Sequence, residues 1–353
     1  MGRHGRRLSI GAFLLGFFLD YLTLTRVDRL FDNLVLLSYL LLVLLGIVVT
    51  NAHVTGRIQG LFGKQSVETF RFLLPFSFGG LFSGLLVFYS KSGAILASAP
   101  FLLILVGFLV GNELLKKHYE RFLFQLTVFY VALFAYTALV LPVLVESIGP
   151  SVFIMSGLLS LAFFALTIRV LRFVARDVVE RSVRSLVPIV AIVFITFNIL
   201  YFNGMIPPVP LSLTEAGVYH SVTRLRSGGY GLSYEEPHWW EFGYATAKTY
   251  RQSAGEPAYA WSSIYAPTGL STAIVHRWYR YDEETRKFID ITAIPFVISG
   301  GRQEGFRGYS MKQNLTAGRW RVDVETERGQ VIGRFFFTVE LVSSPPALTQ
   351  TLR

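Results

Sequence analysis

No cysteine occurs among the 353 residues, which excludes disulfide staples, thiol catalysis and thiolate metal sites. Charge is scarce as well: 16% of residues are charged, against 52% hydrophobic and 15% aromatic. That balance excludes a disordered or collagen-like chain. A mean hydropathy of +0.48 is more than a water-soluble globule needs, so an integral membrane protein is the first expectation. The sequence also lacks Gly-x-Ser-x-Gly, His-Glu-x-x-His and the Walker and dinucleotide glycine patterns. His220, His238 and His276 are too scattered for metal spacing, and no cofactor is implied. Tryptophan is missing until residue 239.

The net charge of +10 is unevenly placed. Residues 1–203 carry 17 basic and 9 acidic side chains, and residues 204–353 carry 16 and 14. A basic excess on the hydrophobic half points to a membrane surface and argues against nucleic acid as a partner. Seven stretches approach the length of about 20 apolar residues that a spanning helix requires: 8–25, 33–50, 72–90, 93–112, 123–145, 150–168 and 186–203. The first, with Asp20 near its end and no small-residue cleavage site after it, reads as an uncleaved anchor. Alternate loops hold 14 Lys or Arg against 3 in the opposite set. Positive side chains resist translocation, so the expected orientation has the N-terminus in the cytoplasm and everything after residue 203 outside a cell's inner membrane.

Composition changes abruptly at Asn203-Gly204-Met205-Ile206-Pro207-Pro208-Val209-Pro210, a run that cannot continue a helix. The expected organisation is a transmembrane helical domain over 1–203, a Pro-rich spacer over 204–210, a β-rich outer domain over 211–344 and a tail over 345–353. Six strands are expected, at 258–265, 272–281, 289–298, 306–312, 319–325 and 331–339, the last two forming a hairpin. In Arg319-Trp320-Arg321-Val322-Asp323-Val324-Glu325 the apolar residues share one face and the charges the other. Short strands with turns between them favour an all-β antiparallel sandwich. Residues 211–256 read as a less regular lead-in.

Several positions could carry function. Asp20, near the outer end of the first span, has Arg26 as a plausible partner; interfacial ion pairing and an ion pathway are the two readings. Gly80-x-x-x-Gly84 and Gly107-x-x-x-Gly111 would let helices approach closely. Charges from Arg169 to Arg184 recur at helical spacing and read as a helical extension near the cytoplasmic headgroups, with Asp177–Arg181 and Glu180–Arg184 as i,i+4 pairs. In Gly300-Gly301-Arg302-Gln303-Glu304-Gly305-Phe306-Arg307-Gly308-Tyr309-Ser310, Arg302 and Arg307 could clamp an anionic group, with Tyr309 beside them; the plainer reading is a bulged edge strand with solvated arginines. Trp239 and Trp240 could stack on a sugar, lie at the bilayer interface or simply pack the lead-in on the sandwich. His276, on a strand, reads as a satisfied structural histidine.

Gly16 to Asp28, His276-Arg277-Trp278-Tyr279, Gly300-Gly301-Arg302, Gly305 to Ser310, and Gly318 to Val324 followed by Gly329 and Gly333, taken together, resemble an uncharacterised bacterial membrane-protein family classed by a C-terminal domain of unknown function numbered 2914. The resemblance implies a polytopic inner-membrane protein with a β-rich outer domain and supplies no catalytic residue. Two functions are therefore expected to compete. One is a non-enzymatic membrane protein whose outer domain binds an envelope glycan, peptide or protein; the other is a membrane-embedded transporter or enzyme using Asp20 and nearby polar groups.

Overall fold

The computed structural model describes residues 17–24, 26–55, 64–114, 121–226, 229–241, 243, 245–302 and 304–353. The chain divides into two compact units. One comprises residues up to Lys91 together with Ile95–Pro210, and the other comprises Ser92–Ala94 with Leu211–Arg353.

Among the described residues the first unit is helical. After a short helical stretch at 17–23 come α1 (Leu30–Val54), α2 (Lys64–Lys91), α3 (Ala99–Leu114), α4 (Phe122–Leu144), α5 (Pro150–Val174) and α6 (Arg176–Phe202). Five of these, all but α3, are long and apolar enough to cross a membrane. The expected first span, 8–25, lies mostly outside the described residues. The expected span at 93–112 begins later, at Ala99, and is described as a helix as far as Leu114. Pro100 sets its start: proline fits the first helical turn, and it disfavours helical backbone in residues before it.

The burial pattern of α5 decides what solvent the unit requires. Its buried face combines Ser156, Gly157, Ser160 and Thr167 with Val152, Phe153, Phe164 and Leu171, while Leu158, Phe163, Leu166 and Phe173 are among its exposed side chains. Large apolar side chains facing outward, with small and hydroxylated residues among those at the helix contacts, fit a membrane setting. α4 is the central element, with 72% of its apolar window buried, against 22% for α6. Phe134 of α4 stacks with Phe194 and Phe197 of α6 at 5.7 and 4.8 Å. Buried Asn51 of α1 donates to Gln125 of α4 at 2.8 Å.

Gly80 and Gly84 do permit close approach: a Cβ there would lie 2.6 Å from Tyr39 and 2.5 Å from Leu36, both on α1. Gly107 is different, with nothing within 4 Å of such a Cβ, so it serves no close packing. The expected continuous extension from Arg169 to Arg184 is split at Ala175, which leaves helical geometry at φ −141°, ψ 50°. The i,i+4 pair that forms there is Arg176–Glu180, at 2.7 Å on the surface.

The second unit contains three sheets, with strand orders β1-β5-β8, β4-β10-β9-β6-β7 and β11-β3-β2. The six expected strands are β5 (Ala258–Tyr265), β6 (Ser271–Asp282), β7 (Lys287–Ser299), β8 (Phe306–Lys312), β9 (Gly318–Thr326) and β10 (Val331–Leu341). β9 and β10 pair antiparallel. The expected irregular lead-in instead holds β1 (Ser212–Tyr219), β2 (Ser221–Arg224), β3 (Tyr230–Tyr234) and β4 (Thr249–Gln252), and the tail holds β11 (Thr349–Leu352). The purely antiparallel expectation is also corrected, because β4 pairs parallel with the end of β10. Parallel neighbours need a long crossover, and β4 precedes β10 by most of the unit.

Alternation on β9 builds the core. Trp320, Val322 and Val324 are all nearly sealed from solvent, joined on the same side of the sheet by Trp278 of β6 and Phe337 of β10, whose rings meet edge to face at 6.2 Å. Trp320→Ala should therefore cost about 3–5 kcal/mol, whereas Trp239→Ala, at a side chain 80% exposed, should change stability by less than about 0.5 kcal/mol. Urea denaturation of the full chain in detergent, followed by circular dichroism, separates the two. Equal costs would mean that the faces are assigned wrongly.

Candidate functional site

His276 and Trp278 on β6 face Ser262 of β5 and Ser310 of β8. Ser262 Oγ lies 2.8 Å from His276 Nε2, Ser310 Oγ lies 3.0 Å from Nδ1, and Trp278 Nε1 donates to the same Ser310 Oγ at 3.0 Å. Burial pushes the imidazole down to about 3, so it is neutral at physiological pH. With hydroxyls on both sides and no solvent access, it pins the five-stranded sheet to the β1-β5-β8 sheet.

The glycine-rich segment is the crossover between those same sheets, since β7 belongs to one and β8 to the other. A Cβ on Gly300 would meet the Pro267 carbonyl oxygen at 1.7 Å, and Gly305 has φ +87°; both positions require glycine. Each arginine has its own partner in this segment. Arg302 lies over the Phe306 ring at 5.1 Å, whereas Arg307 pairs with Glu304. Tyr309, on the other side of β8 from Ser310, sits 6.1 Å from Tyr230 and 6.0 Å from Tyr259.

The outward face of β9 and its neighbours carries its own ion pairs. Arg334 grips Asp323 bidentately at 2.6 and 2.7 Å, and Arg277 bonds both Glu325 and Asp290 at 2.6 and 2.7 Å. Arg321 covers the Tyr279 ring at 3.9 Å and Arg319 the Tyr281 ring at 3.6 Å. Asp323 and Glu325 are buried beneath these guanidinium groups and rings, so the charges on this face are committed to one another.

In the helical unit, Asp20 accepts a hydrogen bond from Ser83 of α2 at 2.5 Å, while Arg26 pairs with Asp28 at 2.7 Å. The Asp20–Arg26 pairing expected from sequence proximity is thereby replaced by a contact 63 residues away.

Trp239 and Trp240 lie on the connection between β3 and β4, 80% and 56% exposed, so they do not pack the lead-in on the neighbouring sheets. Trp240 stacks on His238 at 4.4 Å and stands nearly perpendicular to Trp239 at 5.5 Å. Glu241 fixes this turn: its carboxylate accepts the backbone N–H of His238 at 2.9 Å and of Lys248 at 3.3 Å. Beside the turn is a cleft of about 310 Å³ lined by Glu235, Glu236, His238, Glu241, Thr249 and Arg251, closed by residues 346–349. Behind the cleft, buried His220 holds Glu256 at 2.6 Å and Glu235 at 3.2 Å. Glu235 also accepts the Arg251 backbone N–H at 2.6 Å and its Nη1 at 2.7 Å. These residues are spread over 36 positions, which hid them from the sequence reading. The one legible signal was Glu235-Glu236 two residues before His238-Trp239-Trp240. Among the described residues no group of three or more His, Asp or Glu is arranged to hold a metal.

Burial alone would lower His220, but its hydrogen bonds to Glu235 and Glu256 outweigh that and raise it. For Glu235, burial is outweighed by His220 and Arg251, and the carboxyl is held low. The stability from His220 is therefore complete below its unfolded value of about 6.5 and is lost as pH rises through the raised folded value. His276 has the opposite sign: its stability is complete above about 6.5 and drains as pH falls toward 3. Urea midpoints, read from tryptophan emission in the full chain, should fall on both sides of a maximum near pH 6–7. His220→Gln should flatten the alkaline limb and His276→Gln the acid limb, each by at most about 1.4 kcal/mol per pH unit. Limbs unaltered by both changes would contradict this assignment.

No curated protein matches the chain. The solved Pseudomonas fluorescens alkylpurine DNA glycosylase AlkC, bound to DNA containing an abasic site analog, aligns over 89% of this chain and 99% of that one at 11% identity, with a TM-score of 0.19. A score that low carries neither fold nor activity across. The cleft lies outside the one stretch with a family assignment: residues 271–339, from β6 through most of β10, match the family described as Protein of unknown function (DUF2914).

Proposed function

We propose that the chain is a non-enzymatic, multi-pass protein of a cell's inner membrane. In this reading a seven-span helical domain displays a β-sandwich on the outer side, where it binds an envelope glycan, peptide or partner protein. The observation that carries the membrane half is the set of large apolar side chains that α5 turns outward, which water would not tolerate at this scale. The loop asymmetry of 14 basic residues to 3 supports the orientation. The pinning of β6 against β5 and β8 by His276 supports the sandwich. The exposed indoles beside a polar cleft support binding, because solvated tryptophans held by an ordered turn are costly unless used. Asp20 is satisfied by Ser83 beside the tightly packed Gly84, which favours an anchoring role over an ion pathway.

The absence of native cysteine permits a direct test. Ser343→Cys and Glu180→Cys place single thiols at exposed positions of the two units. In spheroplasts, a membrane-impermeant maleimide should label Ser343→Cys directly and Glu180→Cys only after permeabilisation. The reverse pattern would overturn the orientation.

A further inference from the structure

The cleft beside Trp239 and Trp240 has a chemistry that selects among ligands. Its glutamates are already engaged. Glu235 is held by His220 and Arg251, Glu241 by two backbone N–H groups, and Glu236 by the Thr349 hydroxyl at 2.9 Å. Of the three, Glu235 alone has an arginine partner, and all three carboxylates keep lone pairs able to accept further hydrogen bonds. Three of them against one arginine repel an anion. The polar lining disfavours a purely apolar guest. A ligand rich in hydroxyl donors fits this lining, with Arg251 and Thr249 available to donate in return.

The indoles add a flat apolar platform next to the lining residue His238, on which Trp240 stacks. Trp240 is backed by His238, and Trp239 stands at 84° to it, forming an aromatic corner that matches the C–H face of a pyranose ring. The turn is already locked by Glu241, so binding pays little ordering entropy. A volume of about 310 Å³ lies at the small end of ligand sites, suiting one or two sugar rings.

We propose that this cleft is a binding site for a neutral oligosaccharide, the ring stacking on Trp239 and Trp240 and its hydroxyls meeting Glu235, Glu236, Thr249 and Arg251. The proposal rests on the reading of the β-rich unit as an outer binding domain and gives that domain a ligand class.

The test uses the full chain in nanodiscs and isothermal titration calorimetry, whose signal survives removal of the indoles. Probes are chitotriose in its N-acetylated form, cellotriose and maltotriose, with tetramethylammonium chloride and a sulfated trisaccharide as the cationic and anionic arms. The expected result is a saturable change with at least one neutral trisaccharide, weakened at least tenfold by Trp239→Ala plus Trp240→Ala. Both side chains are exposed, so the double variant should keep its circular dichroism and melting temperature. The proposal is overturned if no neutral trisaccharide gives saturation, if the folded double variant binds as well, or if only a charged arm saturates. Failure here with Ser343→Cys labelled from outside removes the sugar and leaves the outer domain standing. Labelling of Ser343→Cys only after permeabilisation removes the domain reading itself.

Discussion

The outward face of the helical unit is covered by large apolar side chains, and the proposed membrane setting, with the rest of the account, depends on that. Phe72, Phe173, Leu103 and Val187 are each at least 64% exposed, while serine, glycine and threonine join large apolar side chains in the contacts inside. In hydrocarbon no solvent satisfies backbone polar groups, so a helix is the conformation open to such segments. Charge has to be confined to their ends and connections. Chemistry that needs several mobile polar groups is thereby displaced to the residues after the Pro-rich run at 207–210.

Beyond that run the design criterion changes. The β-rich unit commits its buried polar groups to mutual contacts: His276 to two serines, Asp323 to Arg334, Glu325 to Arg277, and His220 to two glutamates. Arg277–Glu325 joins β6 to β9 and Asp323–Arg334 joins the β9–β10 hairpin, and leaving one partner unpaired would strand a buried group at a cost of several kcal/mol. The scaffold is consequently stiff, and glycine crossovers such as Gly300 and Gly305 let the chain pass from one sheet to the next without loosening it. A stiff scaffold suits a loop that must hold two indoles in solvent. The connection from β3 to β4 is that loop, outside the stretch 271–339 that carries the family assignment.

How much of this was legible depended on the length of each element. Strands β5 to β10 are seven residues or longer, long enough for the apolar alternation of β9 to show in the sequence and to place Trp320 inside. β2, β4 and β11 have four residues each, too few for any period, and β4 and β11 are held by partners far along the chain. Apolar runs located α1, α2, α4, α5 and α6, and α3 as well, though Pro100 moves its start to Ala99. Site residues fared worse. Arg302 and Arg307 are neighbours in sequence, but the intervening turn at Gly305 sends them to different partners, Phe306 and Glu304. Asp20 finds Ser83 only through the packing of α2. Trp239 and Trp240 look no different in sequence from Trp278, and only the fold reveals which indoles are free.

The account stands or falls on hydrocarbon being the solvent of the helical unit. Photolysis of a hydrophobic carbene precursor dissolved in the bilayer around the full chain, with labelled residues mapped by mass spectrometry, measures that directly. The expected footprint covers the outward side chains of α5 and α6, Leu166, Phe173 and Ile192 among them, spares Ser156, Gly157 and Ser160, and leaves β5 to β10 unmarked. Label concentrated on the β-rich unit, or missing from α5 and α6, would contradict it.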